Sequence, residues 1–310
     1  MKLEDWLNVW LNMYHKYNIK LRTYNRYSEI IEKHINPELG GYDINDLKPE
    51  VLQKFICDKL ENGNLNTSGG LSHNSVLSIL SLLKLALKQA VVLGYCDKEY
   101  VSCVKVSHIR EKKVNAFSRK EQQVLESYCF NSKVNHLGII ICLYTGIRIG
   151  ELLSLTWDDI DFDNCVLYIN KTLYNYSENG RMISCIDRPK TINSNRTIPL
   201  SKKIISILKQ IKKTSNSKYV ISTRNGEMVQ VRSYQKTFKL ILDKCDISYR
   251  IFHSLRHTFA TRALESGMDV KCLSEILGHK NSLVTLNRYS HTMVDYKSDM
   301  MNKLSNIFVY

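Results

Sequence analysis

Four short stretches of the chain carry residue types that could do chemistry. In residues 145–155 (TGIRIGELLSL), Arg148 stands between Gly146 and Gly150, with Glu151 three residues on. A guanidinium offers a planar fork of donors that matches carboxylate or phosphate oxygens. Taken alone, the pair reads as an Arg–Glu contact that pins a turn, since residues three apart share a helix face. Residues 188–200 (RPKTINSNRTIPL) read as a turn between two strands, with Lys190 at its edge. A lysine there could deliver a proton to a neighbouring site, although a lone lysine is usually a solvated charge. In residues 253–261 (HSLRHTFAT), His253 and Arg256 fall on one helix face. His253 and His257 have the spacing of two zinc ligands, but Ser254 stands where the zinc-protease motif has glutamate, so zinc is set aside. In residues 277–291 (LGHKNSLVTLNRYSH), His279 follows Gly278 at a helix end and Tyr289 comes ten residues later. The chain has 18 tyrosines, and nothing in the local sequence singles out Tyr289.

These side chains need a scaffold. A chain of 310 residues, 44% apolar and 24% charged, can build a core in each of two domains. Apolar spacing predicts helices over Leu3–Tyr17, Thr23–Ile35 (stopping before Pro37), Pro49–Leu60 and Ser75–Leu93. They make a small helical bundle over residues 1–103. Residues 104–115 are charged, lack a strong period and read as a linker. The second domain, 116–310, opens with a capping box at Ser118 and Glu121. Helices are expected at 118–129, 133–145, 201–213, 233–245, 254–266, 270–277, 282–288 and 292–305. Strands are expected at 166–169, 183–186 and 196–200, with a long insert (Thr172 to Met182) between the first two. The fold class is therefore mainly α with a small antiparallel β-sheet. The tail, about 292–310, places Met293, Tyr296, Met300, Leu304 and Ile307 at helical spacing, to pack on its own domain or on a neighbouring copy.

Charge bounds the partners. Residues 1–113 hold 16 basic and 13 acidic residues, while 114–310 hold 28 and 17, so most of the net charge of +14 lies in the second part. Such a surface attracts polyanions, nucleic acid first and an anionic membrane second. No apolar run reads as a membrane span and the acidic start does not read as a signal peptide, so a cytoplasmic location is expected. Nine cysteines, odd in number and scattered, read as reduced core residues.

Within 116–310, Arg, Glu, Lys, His-x-x-Arg, Gly-His and Tyr follow in one order, and here the chain resembles the tyrosine recombinase (phage integrase) family. That family's pattern is Thr-Gly-x-Arg-x-x-Glu, a lysine on a β-turn, His-x-x-Arg, Leu-Gly-His and a tyrosine about ten residues beyond. The residues that match are Arg148 with Glu151, Lys190, His253 with Arg256, His279 and Tyr289. Residues 1–103 resemble, more loosely, the family's helical core-binding (SAM-like) domain, and no arm-binding domain is expected before it.

The resemblance implies an N-terminal core-binding bundle, a C-terminal tyrosine-recombinase catalytic domain and two domains that close around duplex DNA. It also implies cleavage and rejoining of DNA through a 3′-phosphotyrosine at Tyr289. Arg148 and Arg256 would stabilise the phosphoryl transition state, Lys190 would protonate the leaving 5′ oxygen and His253 would orient or deprotonate the tyrosine. His279 would donate to a nonbridging oxygen, with Glu151 in support. Two arginines, a lysine and two histidines can replace metal ions here, so no cofactor is expected. The implied partners are double-stranded DNA with inverted half-sites, a homodimer on each site, a homotetramer in the synapse and an accessory directionality factor. The insert and the RPKTINSNRTIPL stretch look most like integrases of conjugative transposons or prophages, which integrate and excise a mobile element. Alternatives are a Xer-like dimer resolvase, a type IB topoisomerase and a catalytically silent DNA-binding protein.

Overall fold

The computed structural model describes residues 1–67, 69–106, 116–132, 136–178, 181–187 and 195–279, with 281–283, 286, 301–302 and 305. Lys190, Tyr289 and the apolar positions of the tail lie outside the described residues, as do most of the expected helices at 282–288 and 292–305. The chain divides into two compact units, Met1–Glu111 and Lys112–Tyr310.

The first unit is helical. Helix α1 (Leu3–Val9) runs into a π-helical turn, Trp10–His15. Trp6 and Trp10 are fully buried. Their indole N–H groups donate to Ala86 O at 3.0 Å and Gln89 Oε1 at 3.1 Å, so burying the rings strands no donor. Helix α2 (Leu21–Ile30) leads through a second π turn, Ile31–Ile35, into α3 (Asn36–Leu39). The expected stop before Pro37 is thus corrected. The helical path continues because Pro37 falls in the first positions of a new segment, where its missing N–H has no partner to lose. Helix α4 (Pro49–Asn62) and helix α5 (His73–Val92) complete the bundle. By length and composition α5 is apolar enough to cross a membrane, against the expectation that no run was. Val76, Ile79, Leu83, Ala86 and Leu87 are instead buried in the core of this unit. Val104 and Val106 also pack on it, and Gln53 holds the backbone of Lys105 through two 3.0 Å hydrogen bonds.

The second unit starts at α6 (Arg119–Asn131), whose capping box has both bonds, Glu121 N to Ser118 Oγ at 3.2 Å and Ser118 N to Glu121 Oε2 at 2.7 Å. Helix α7 (Leu137–Thr145) is buried almost all round and leads to the short α8 (Ile149–Ser154). Strands β1 (Ile160–Asp161) and β2 (Val166–Ile169) follow. The insert is itself structured, as β3 (Thr172–Glu178) pairs with β4 (Arg181–Asp187) in a two-stranded antiparallel sheet of its own. The last strand, β5 (Arg196–Pro199), returns to pair with β2, giving the order β1-β2-β5. The stretch around Lys190 lies between two strands, as expected, and these belong to two different sheets. Helices α9 (Lys202–Thr214), α10 (Val231–Lys244), α11 (Ser254–Glu265) and α12 (Val270–Leu277) close the unit.

Candidate active site

The junction of α7 and α8 is fixed by Gly146, which leaves α7 with φ +66°. A Cβ there would be strained and would collide with the Phe259 ring and Leu277, so the turn needs glycine. Two residues later Arg148 caps α8. Its backbone N–H donates to Glu151 Oε2 at 2.8 Å and its Nη1 to Oε1 at 2.8 Å. Glu151 is 4% exposed and is held from the other side by Arg196, with Nη1 to Oε1 at 3.0 Å and Nη2 to Oε2 at 2.8 Å. Burial alone would raise the Glu151 pKa. The hydrogen bonds and charge of Arg196, then the charge and N–H of Arg148, outweigh it and bring the value down to about 2.

The second half of the site is the end of α12. Gly278 leaves the helix with φ +63°, and the His279 N–H returns to Ser274 O at 3.0 Å, a Schellman closure. The next carbonyls each accept from an arginine. Arg196 Nε reaches Ile276 O at 2.6 Å, Arg256 Nη2 reaches Leu277 O at 2.6 Å and Arg148 Nη2 reaches Gly278 O at 3.3 Å. Arg256 also donates from Nη1 to Gly146 O at 2.8 Å, tying α11 to the α7–α8 junction. Helix C-termini carry unsatisfied carbonyls and partial negative charge, so cations collect there. Three guanidinium groups from α8, β5 and α11 thus meet on three successive peptide oxygens. The Arg196 side chain is 6% exposed, whereas that of Arg148 is 38% exposed and open to a ligand.

Of the residues singled out by sequence, Arg148, Glu151 and Arg256 are brought together, and His279 directly follows the carbonyls they share. His253 is half-buried at the N-terminal end of α11, one turn before Arg256, and its ring stands edge-on to that of His257 at 4.7 Å. His279 is also half-buried. Sequence reasoning marks Arg196 only as the start of a strand. The signal that could have found it is its parity: in β5 it alternates with exposed Thr197 and shares a face with buried Ile198, an unusual place for a charge without a partner.

The sequence model of the phage integrase family matches residues 108–295, and that of the N-terminal SAM-like domain of phage integrases matches residues 2–60. The chain is 27% identical to a XerC-like tyrosine recombinase of Caldanaerobacter subterraneus subsp. tengcongensis, over 99% of this chain and 83% of that protein. It is 26% identical to the transposase of transposon Tn916 from Enterococcus faecalis, over 86% of this chain and 69% of that one. Among solved structures, the Tn1549 transposon integrase in complex with a circular intermediate DNA superposes with a TM-score of 0.82. It covers 98% of this chain and 99% of its own, at 24% identity.

Proposed function

Because the chain belongs to the phage integrase family and is a tyrosine recombinase, we propose that it integrates and excises a mobile element, cutting and rejoining DNA through Tyr289. The phenol oxygen attacks phosphorus in line, an O–P bond to Tyr289 forms and the bond to the 5′ oxygen breaks. The phenolic proton passes towards His253, and Lys190 gives a proton to the departing 5′ oxygen, which leaves as a hydroxyl. The 5′ hydroxyl of a second strand then reverses the step and releases the tyrosine. Charge on the equatorial phosphate oxygens is met by the forks of Arg148 and Arg256 and by a donor from His279. Glu151 orients Arg148.

The observation that carries this reading is the meeting of Arg148 and Arg256 on the adjacent carbonyls of Leu277 and Gly278, beside His279. Prepositioned guanidinium forks stabilise a transition state without reorganising at the moment of reaction. The partner is double-stranded DNA, bound as a homodimer on inverted half-sites and as a tetramer in the synapse, with an accessory factor that sets direction. Lambda integrase has been solved as a dimer on a core site and as a tetramer on a Holliday junction, which supports this assembly. The expected location is the cytoplasm. A dimer-resolving role is the second reading, favoured by the likeness to the XerC-like protein.

The test uses a nicked suicide duplex carrying the element's end. Wild-type protein should form a slow-migrating covalent adduct and Tyr289→Phe should form none while still binding. No adduct on a duplex that the wild type binds contradicts the proposal.

A further inference from the structure

We propose that Arg196 is a positioning residue for strand cleavage: from β5 it locks Glu151 and the last turn of α12 together, and so sets the direction of Arg148 and the start of the His279 segment. This rests on the reading that Arg148 engages the scissile phosphate.

The contacts form a closed ring. Arg196 takes both oxygens of Glu151 with one edge of its guanidinium. Glu151 takes the N–H and Nη1 of Arg148. Arg148 reaches Gly278 O with Nη2, and two residues back along the chain Ile276 O accepts from Arg196 Nε. The ring thus joins the cap of α8, the end of α12 and strand β5. Gly278 lies flat against it, since a Cβ there would stand 3.1 Å from both Cδ and Nη1 of Arg196. Arg196 has Nε, Nη1 and Nη2 all engaged by Ile276 O and the Glu151 carboxylate, while Arg148 is open. The geometry therefore separates the roles: Arg148 meets the phosphate and Arg196 holds what holds Arg148.

An ion pair kept only for stability would need charge at this position but no particular shape. A guanidinium makes three directed contacts here that a lysine ammonium at the end of a flexible stem does not reproduce. Arg196→Lys separates the two cases, because the charge opposite buried Glu151 is retained and folding with it. Single-turnover cleavage of the suicide duplex is measured with affinity for the same duplex. The expected result is cleavage slowed about 10- to 100-fold, the scale of losing an orienting contact, with affinity within about twofold of wild type. In an Arg148→Ala background the same change should cost less than it does in the wild type, because part of its effect runs through the Arg148 guanidinium. Arg196→Met, checked for folding by circular dichroism, should be slower than Arg196→Lys. Wild-type rates for Arg196→Lys, parallel losses of affinity and cleavage, or full multiplication with Arg148→Ala would overturn the assignment. A wild type without adduct would overturn this proposal together with the cleavage reading, whereas a variant matching an active wild type strikes Arg196 alone.

Discussion

Among the described residues, Met1–Glu111 buries two tryptophans and a single charge, whereas Lys112–Tyr310 buries Glu151, Asp159, Arg256 and a series of hydroxyl groups. Among the described residues, Lys59, paired with Glu38, is the one buried polar side chain of the first unit, and ten fall in the second. The second unit is less than twice as long, so length does not explain the contrast. Burying an ion costs free energy unless its partners are already in place, and packing alone is better served by apolar side chains. The first unit is built as a core that holds a surface. The second keeps charges where solvent cannot screen them, which is where a phosphoryl transition state needs them.

The contrast can be broken at either end. Trp6→Ala should destabilise the first unit by about 3–5 kcal/mol in chemical denaturation, the cost of emptying a large aromatic site. Adduct formation by folded, DNA-bound protein should not change. A cleavage defect without lost stability would mean that the units do not divide the work in this way. The next effect concerns pH. Glu151 titrates at about 2 when folded, against an ordinary glutamate value of 4.5. Its ion pairs therefore contribute fully above about pH 4.5, and the contribution fades as pH falls through about 2, a span worth roughly 3 kcal/mol. The stability gap between wild type and Glu151→Gln should narrow over that range, and a constant gap would contradict the buried pairing. Slightly smaller is Arg148→Ala, expected to slow cleavage at least ~10²-fold, about 2.7 kcal/mol, the scale for losing one transition-state donor. Arg196 still faces Glu151 in this variant, so stability should fall by less than the cleavage defect, and a loss of stability that accounts for the whole defect would return Arg148 to a turn-pinning role.

Much of the molecule is legible in its sequence. Helices with strong apolar spacing, such as 118–129 and 270–277, sit where the pattern places them, and the capping box at Ser118 has both its bonds. Where the pattern falls short, tertiary context decides the outcome. The π turns before Pro37 depend on packing, which local propensity does not encode. Strand β3 escapes a reading by alternation because TLYNYSE has polar residues on both sides of its pleat and takes its stability from pairing with β4. The site is readable in Arg148, Glu151 and Arg256 through the order of motifs, whereas Arg196 shows only in its strand parity, which does not name its partners. Its partners are 45 and 80 residues away, a separation no local pattern records. Lys190 and Tyr289 rest on motif order alone.

The most direct test of the central claim is to locate the covalent bond. The adduct from the suicide duplex would be digested with nuclease and trypsin, and the modified peptide fragmented in a mass spectrometer. Cleavage after Arg288 and Lys297 releases residues 289–297, which hold both Tyr289 and Tyr296, so fragment ions must separate the two. Nucleotide mass on Tyr289 is the predicted result. Nucleotide mass on Tyr296 or on any other residue would contradict the account.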